Sequence, residues 1–130
     1  MFEVLVVGLG GCIGSVARYL TNKAAETLEL SFPLSTLVVN GVASLALGLL
    51  LGFIASGGAV PERLRLFLSV GVLGGLSTFS AFSGETLELL QKHDYLLAGV
   101  NIVLNVGICL GATALGFITI VTMLTASGTK

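Results

Sequence analysis

Four stretches of this chain are long and apolar enough to cross a lipid bilayer, and that limits the fold more than any motif does. About 20 apolar residues make a spanning helix. The stretches are 2–19, 34–56, 64–90 and 95–124. Pro33 stands where the second helix would start, and Arg18 and Tyr19 stand at an interfacial end of the first. The connections between them are short, so the expectation is an all-α membrane protein: a single four-helix transmembrane domain over 1–130.

Composition excludes the soluble alternatives. The chain is 55% hydrophobic and 10% charged, with mean hydropathy +1.05. A soluble domain carries about 25% charged residues. A net charge of −1 gives no reason to expect nucleic acid as a partner. Eighteen glycines suit close helix packing in lipid. Cys12 and Cys109 both lie in apolar runs, where small packing residues are expected rather than a disulfide or metal site. His93 lies in the polar connection "QKHDY" and reads as solvated.

The first span could be taken for something else. A cleaved signal peptide wants a basic start, whereas this one begins "MFEV". Cys12 comes too early for a lipoprotein signal. A dinucleotide-binding loop fails at Ile13, where the spacing G-x-G-x-x-G needs glycine. Orientation is more informative. With four spans, Arg63, Arg65 and Lys130 fall on one side, and Arg18, Lys23 and Lys92 on the other. Basic residues normally concentrate on the cytoplasmic side. A tie points to insertion in both orientations, and two oppositely inserted copies would form an antiparallel dimer. Topology set by a few residues of greater weight is the alternative.

Polar exceptions inside the spans carry the functional signal, because unsatisfied polar groups are costly in lipid. Thr36, Asn40, Ser44 and Gly48 recur every four residues in span 2, and Asn101, Asn105, Cys109 and Thr113 do so in span 4. Each set makes one continuous helix face. Helix packing explains such residues as readily as a pathway does, and Gly-xxx-Gly pairs occur at 10/14, 48/52, 71/75 and 107/111. Asn40 stands apart, since "VVNGVA" offers it no polar neighbour; it is expected to face a wet or ligand-lined path. No charged residue lies mid-span in spans 1, 2 or 4. Glu3 is too near the terminus to serve as a buried carboxylate. Glu85 could line an entrance, and Glu88 belongs at the interface.

Span 3 contains "GGLSTFSAF" at 74–82. Paired glycines weaken a helix, and Ser and Thr compete for its backbone hydrogen bonds. Unwinding is therefore expected from Gly74-Gly75 onward, near the middle of the span. Non-helical backbone at membrane depth survives where it is buried or lines a cavity, and its carbonyls can coordinate a cation. Phe79 and Phe82 share a helix face, and their ring edges carry partial positive charge that favours an anion.

These residues resemble the small fluoride channels of microbes, the Fluc family. The family pattern has "GG..G...RY", "TL.VN..G" and "GG.TTFSTF"; this chain has "GGCIGSVARY", "TLVVNGVAS" and "GGLSTFSAF" in the same order. The third motif is the specific one. The resemblance implies an antiparallel dual-topology homodimer with two pores in the cell inner membrane. It implies that Phe79, Phe82, Asn40 and Ser80 line the pore, and that backbone carbonyls of Gly74 and Ser77 hold a central structural Na⁺. It places Glu85 near the pore mouth and Arg18 at the vestibule. Thr36 lies on the span 2 stripe, and Asn101 and Asn105 look like track positions of span 4. Two letters depart from the pattern: Ser77 replaces a Thr whose carbonyl is the ligand, and Ala81 replaces a Thr that carries a hydroxyl.

The expected function is a passive, selective fluoride channel that exports the ion, and no catalytic constellation points to an enzyme. Two other classes stay open. A small proton-coupled exporter of dual topology would need a mid-span carboxylate. A non-transporting assembly subunit would use the stripes and the break for packing alone.

Overall fold

The computed structural model describes residues 1–27 and 33–128, and these form helices joined by short turns. Lys130, one of the residues in the charge tie, lies outside the described residues, as does most of the connection between the first two spans. Helix α1 is Phe2–Glu26 and α2 is Leu34–Ala55. The third span is built in two arms. Its first arm, α3 (62–76), starts as Glu62–Arg65, winds as a π-helix over Leu66–Leu73 and ends in the α-turn Gly74–Leu76. The second arm is α4, Phe79–Gln91. Helix α5 is Tyr95–Ala126. Counting the two arms as one, four helices among the described residues are long and apolar enough to span a membrane.

Helix α1 runs past Tyr19 to Glu26, and its 25 residues extend about 37 Å at 1.5 Å per residue. The expected end at Tyr19 was an interfacial one. The backbone continues because "TNKAAE" is a run of helix-compatible residues, with Lys23 paired to Glu26 at 2.9 Å. In the same way α5 continues two residues beyond the expected span to Ala126.

Two helix pairs make the frame, and glycine sets both. Gly10 and Gly14 of α1 lie against α3: a Cβ on Gly10 would come 2.5 Å from Phe67 O, and one on Gly14 would collide with Val72 O. Gly71 and Gly75 answer from the other side, against Gly10 and Gly11. In the second pair, Gly48 faces the backbone of Thr113 and Gly52 faces Phe117, while Gly116 faces Leu45 O. Residue numbers rise together along both contacts, so α1 runs parallel to α3 and α2 parallel to α5. Only backbones without side chains at the contact approach this closely in a bilayer, where dispersion rather than water exclusion drives packing. The fourth expected pair, Gly107 and Gly111, differs: among the described residues nothing lies within 4 Å of a Cβ at either one. They stand on the outward face of α5.

The break is placed later than the glycines predict. Gly74 keeps helical angles (φ −66°, ψ −34°). The backbone opens at Ser77 (φ −72°, ψ 150°) and Thr78 (φ −150°, ψ 114°). Gly75 is consumed by packing against Gly11 O, so it serves approach rather than unwinding. What ends the helix is a replacement partner for the next backbone group.

Candidate functional site

That partner is Asn40. Its Oδ1 accepts the Thr78 N–H at 2.7 Å, and its Nδ2 donates to Thr78 O at 3.3 Å. The side-chain amide therefore pairs with the extended residue as a neighbouring strand would. Asn40 has no polar neighbour in its own stretch of sequence; its partner is remote in sequence and arrives with the break. Thr78 then caps the second arm, its Oγ1 accepting the Ala81 N–H at 3.2 Å and sharing a hydrogen bond with Ser80 Oγ at 3.2 Å. Loss of this cap costs about 1 kcal/mol. Thr78→Ala is expected to lower the thermal midpoint in detergent accordingly, with Thr78→Ser restoring it.

From Asn40 the polar contacts continue into α5. Asn40 Nδ2 also donates to Asn105 Oδ1 at 3.2 Å. Asn105 Nδ2 donates to Asn101 Oδ1 at 2.9 Å and Asn101 O at 3.2 Å. Asn101 Nδ2 donates to Thr86 Oγ1 at 2.9 Å, and that hydroxyl donates to Phe82 O at 2.7 Å. Asn40, Asn101, Asn105, Thr78 and Thr86 are all buried. The stripe of α2 and the stripe of α5 thus face each other: Asn40 meets Asn105, and Thr113 Oγ1 donates to Ser44 O at 3.2 Å.

Phe79 and Phe82 occupy the first turn of α4. Their rings meet edge to face, with centroids 5.3 Å apart and planes at 62°. Phe82 is buried, whereas Phe79 is 77% exposed. Together with Asn40, Asn105, Val106, Cys109 and Leu110 they line a groove of about 250 Å³. No carboxylate, Lys or Arg is among these residues. The amide donors of Asn40 and Asn105 in this lining are already engaged within the protein, which leaves the ring edges, with their partial positive charge, as its free electropositive groups.

One turn beyond, Glu85 accepts a hydrogen bond from Thr36 Oγ1, while its second oxygen, Oε2, is buried with no partner among the described residues. Thr36 is fully buried. Thr36→Val keeps the shape and removes the donor, so it is expected to cost about 1–3 kcal/mol through the stranded carboxyl. A thermal melt beside the parent protein measures it.

The two carbonyls singled out in the sequence, Gly74 and Ser77, lose their helical donors for stated reasons. The Thr78 N–H that would serve Gly74 O goes to Asn40, and the Ala81 N–H that would serve Ser77 O goes to Thr78 Oγ1. Gly74 and Ser77 also line a small cavity of about 200 Å³ with Ser44, Ser69, Ala43, Leu47 and Leu73.

The structure therefore brings together Asn40, Phe79, Phe82, Asn101, Asn105 and, by way of Thr78, Ser80. Thr36 and Glu85 form a neighbouring pair. Arg18, half-exposed on α1, takes no part in the groove lining. Thr78 and Thr86 were not singled out from the sequence. Thr78 had a signal, a Thr directly before a helix restart. Thr86 had none, since its role depends on Asn101.

The sequence pattern of the family described as "CrcB-like protein, Camphor Resistance (CrcB)" matches residues 5–117. This chain belongs to the CrcB-like family. A protein of Pyrococcus abyssi (strain GE5 / Orsay) called "Fluoride-specific ion channel FluC" is 45% identical over 114 residues, covering 88% of this chain and 92% of the relative. Proteins of the same name from Pyrococcus furiosus and Shewanella putrefaciens are 46% and 45% identical, each covering 89% of this chain and 94% of the relative. The match to the CrcB-like family takes in the second and third spans and most of the first and fourth. This member is a multi-pass membrane protein, and both arms of its broken third helix lie inside the family match.

Proposed function

We propose that this CrcB-like chain is a passive, fluoride-selective channel that exports the ion across the cell inner membrane. The observation that carries this reading is the groove lined by the Phe79–Phe82 edge pair beside Asn40 and Asn105, with no carboxylate, Lys or Arg among its lining residues. The names of the related channels supply the ion. Ring edges and the Ser80 hydroxyl replace part of the ion's water shell, and the apolar walls of Val106 and Leu110 exclude competing water. Glu85, with Thr36, stands near the pore mouth, and Arg18 belongs to the vestibule. From an acidified medium fluoride enters the cell as the neutral acid and is trapped inside as the anion, so a passive path suffices for export.

The working unit is an antiparallel dual-topology homodimer with two pores. Exposed Phe79 and the uncovered Gly107 and Gly111 support it as surfaces for a second copy. Gly74 and Ser77 fit a central Na⁺, because their carbonyls have lost their helical donors; these carbonyls would hold it, and the ion would supply a fixed positive charge between the copies.

Purified protein in liposomes, followed with a fluoride electrode, tests the channel. Fluoride efflux is expected well above protein-free vesicles, with chloride efflux at background. No fluoride efflux defeats the channel reading, and equal chloride flux defeats selectivity. Crosslinking of copies with opposite tag accessibility tests the dimer; a single orientation refutes it.

A further inference from the structure

We infer that Asn40 is a positioning residue that holds the helix break open and seats the two phenylalanines, and does not itself bind the permeating ion. The inference rests on the channel reading and concerns how the same groove is built.

An asparagine amide has two N–H donors and one acceptor oxygen. Here each of them is already engaged. Oδ1 takes the Thr78 N–H at 2.7 Å, and Nδ2 reaches Thr78 O at 3.3 Å and Asn105 Oδ1 at 3.2 Å. The side chain is 8% exposed. A passing anion could take a donor from Asn40 only by displacing Thr78 O or Asn105. Both of those groups are buried and would be left stranded, which is costly where no water replaces the partner.

The same contacts have consequences on both sides of the break. Upstream, the Thr78 N–H held by Asn40 is the one that would have continued the helix onto Gly74 O. Downstream, Thr78 is the cap of α4, so fixing both of its backbone groups fixes the start of the helix. Phe79 follows immediately, and Phe82 lies one turn on. Asn105 and Asn101 hold the amide of Asn40 in turn, since Asn105 gives its own donors to Asn101. The position of the ring edges is thereby tied to α5 through a chain of buried amides, and each member is needed to orient the next.

Three variants test this. Asn40→Ala removes the clamp, and hydrogen–deuterium exchange of the segment 74–82 in the purified protein reads the result. Exchange there is expected to rise about tenfold, the scale of losing a net hydrogen bond or more, with no comparable rise in α1. Asn105→Ala, which removes one of the three bonds to Asn40, is expected to give a smaller rise in the same segment. Unchanged exchange in Asn40→Ala overturns the inference. In the third variant, Thr78 is replaced by its α-hydroxy acid. That removes the backbone N–H, makes the Ser77 carbonyl a weaker ester acceptor, and leaves every side chain in place. The fluoride efflux rate is expected to fall about tenfold and the fluoride-to-chloride ratio to fall with it. Parent-like efflux and ratio would show that Asn40 acts without holding the backbone, and overturn the positioning role. If the parent protein itself moves no fluoride, the channel reading fails, and the exchange measurement alone decides the clamp.

Discussion

Gly48→Ala is expected to destabilise the protein by about 3 kcal/mol or more, although it adds one methyl group. The added Cβ would collide with Thr113 O and crowd the Thr113 Cα and carbonyl carbon. Backbone cannot rotate away as a flexible side chain can. Helices α2 and α5 must therefore separate along the whole contact, which also carries Gly52 against Phe117 and Gly116 against Leu45. Separation would stretch the Asn40–Asn105 bond as well, since it bridges the same two helices. Gly8→Ala provides the contrast. Nothing lies within 4 Å of a Cβ there, and alanine favours helix over glycine by about 1 kcal/mol. Thermal unfolding in detergent should move the two variants in opposite directions. Equal midpoints for the two would refute the close approach of α2 and α5.

Phe79→Leu should lower fluoride efflux in liposomes about tenfold while leaving the thermal midpoint near that of the parent. An aromatic edge interaction is worth about 0.5–1.5 kcal/mol, and the upper end of that range is about tenfold in rate. Leucine keeps much of the volume and loses the ring edge. Stability is spared because Phe79 is 77% exposed within the chain. Phe82→Leu should lower efflux similarly but also cost stability, since Phe82 is buried against the same network. The two positions thus separate pathway from packing. Parent-like efflux in Phe79→Leu would remove the ring edge from the mechanism.

Much of the fold can be read along the chain. Spans show as apolar runs because a bilayer imposes a length and a polarity on every crossing helix. Gly10/Gly14, Gly71/Gly75 and Gly48/Gly52 were legible as packing pairs, since a four-residue glycine repeat leaves one helix face bare. At Gly107/Gly111 the bare face is turned outward in the single chain, so the rule marks the face without naming what packs on it. The π-helix over Leu66–Leu73 has no signal in "LFLSVGVL", whose residues would serve an α-helix equally well.

The site divides in the same way. Periodicity marked Asn40 and Asn105 as members of polar faces, and spacing put Phe79 and Phe82 on one side of a helix. Neither could show that the two faces meet each other, or that Asn40 is joined to Thr78, 38 positions away. Sequence alone determined where the polar and aromatic groups sit on each helix, because helical geometry is local and repeats every turn. Which backbone group gives up its helical bond was decided only by tertiary structure. Thr78 leaves the helix because packing of α2 against α5 delivers a buried amide that satisfies it, and no local pattern specifies where such an amide will stand.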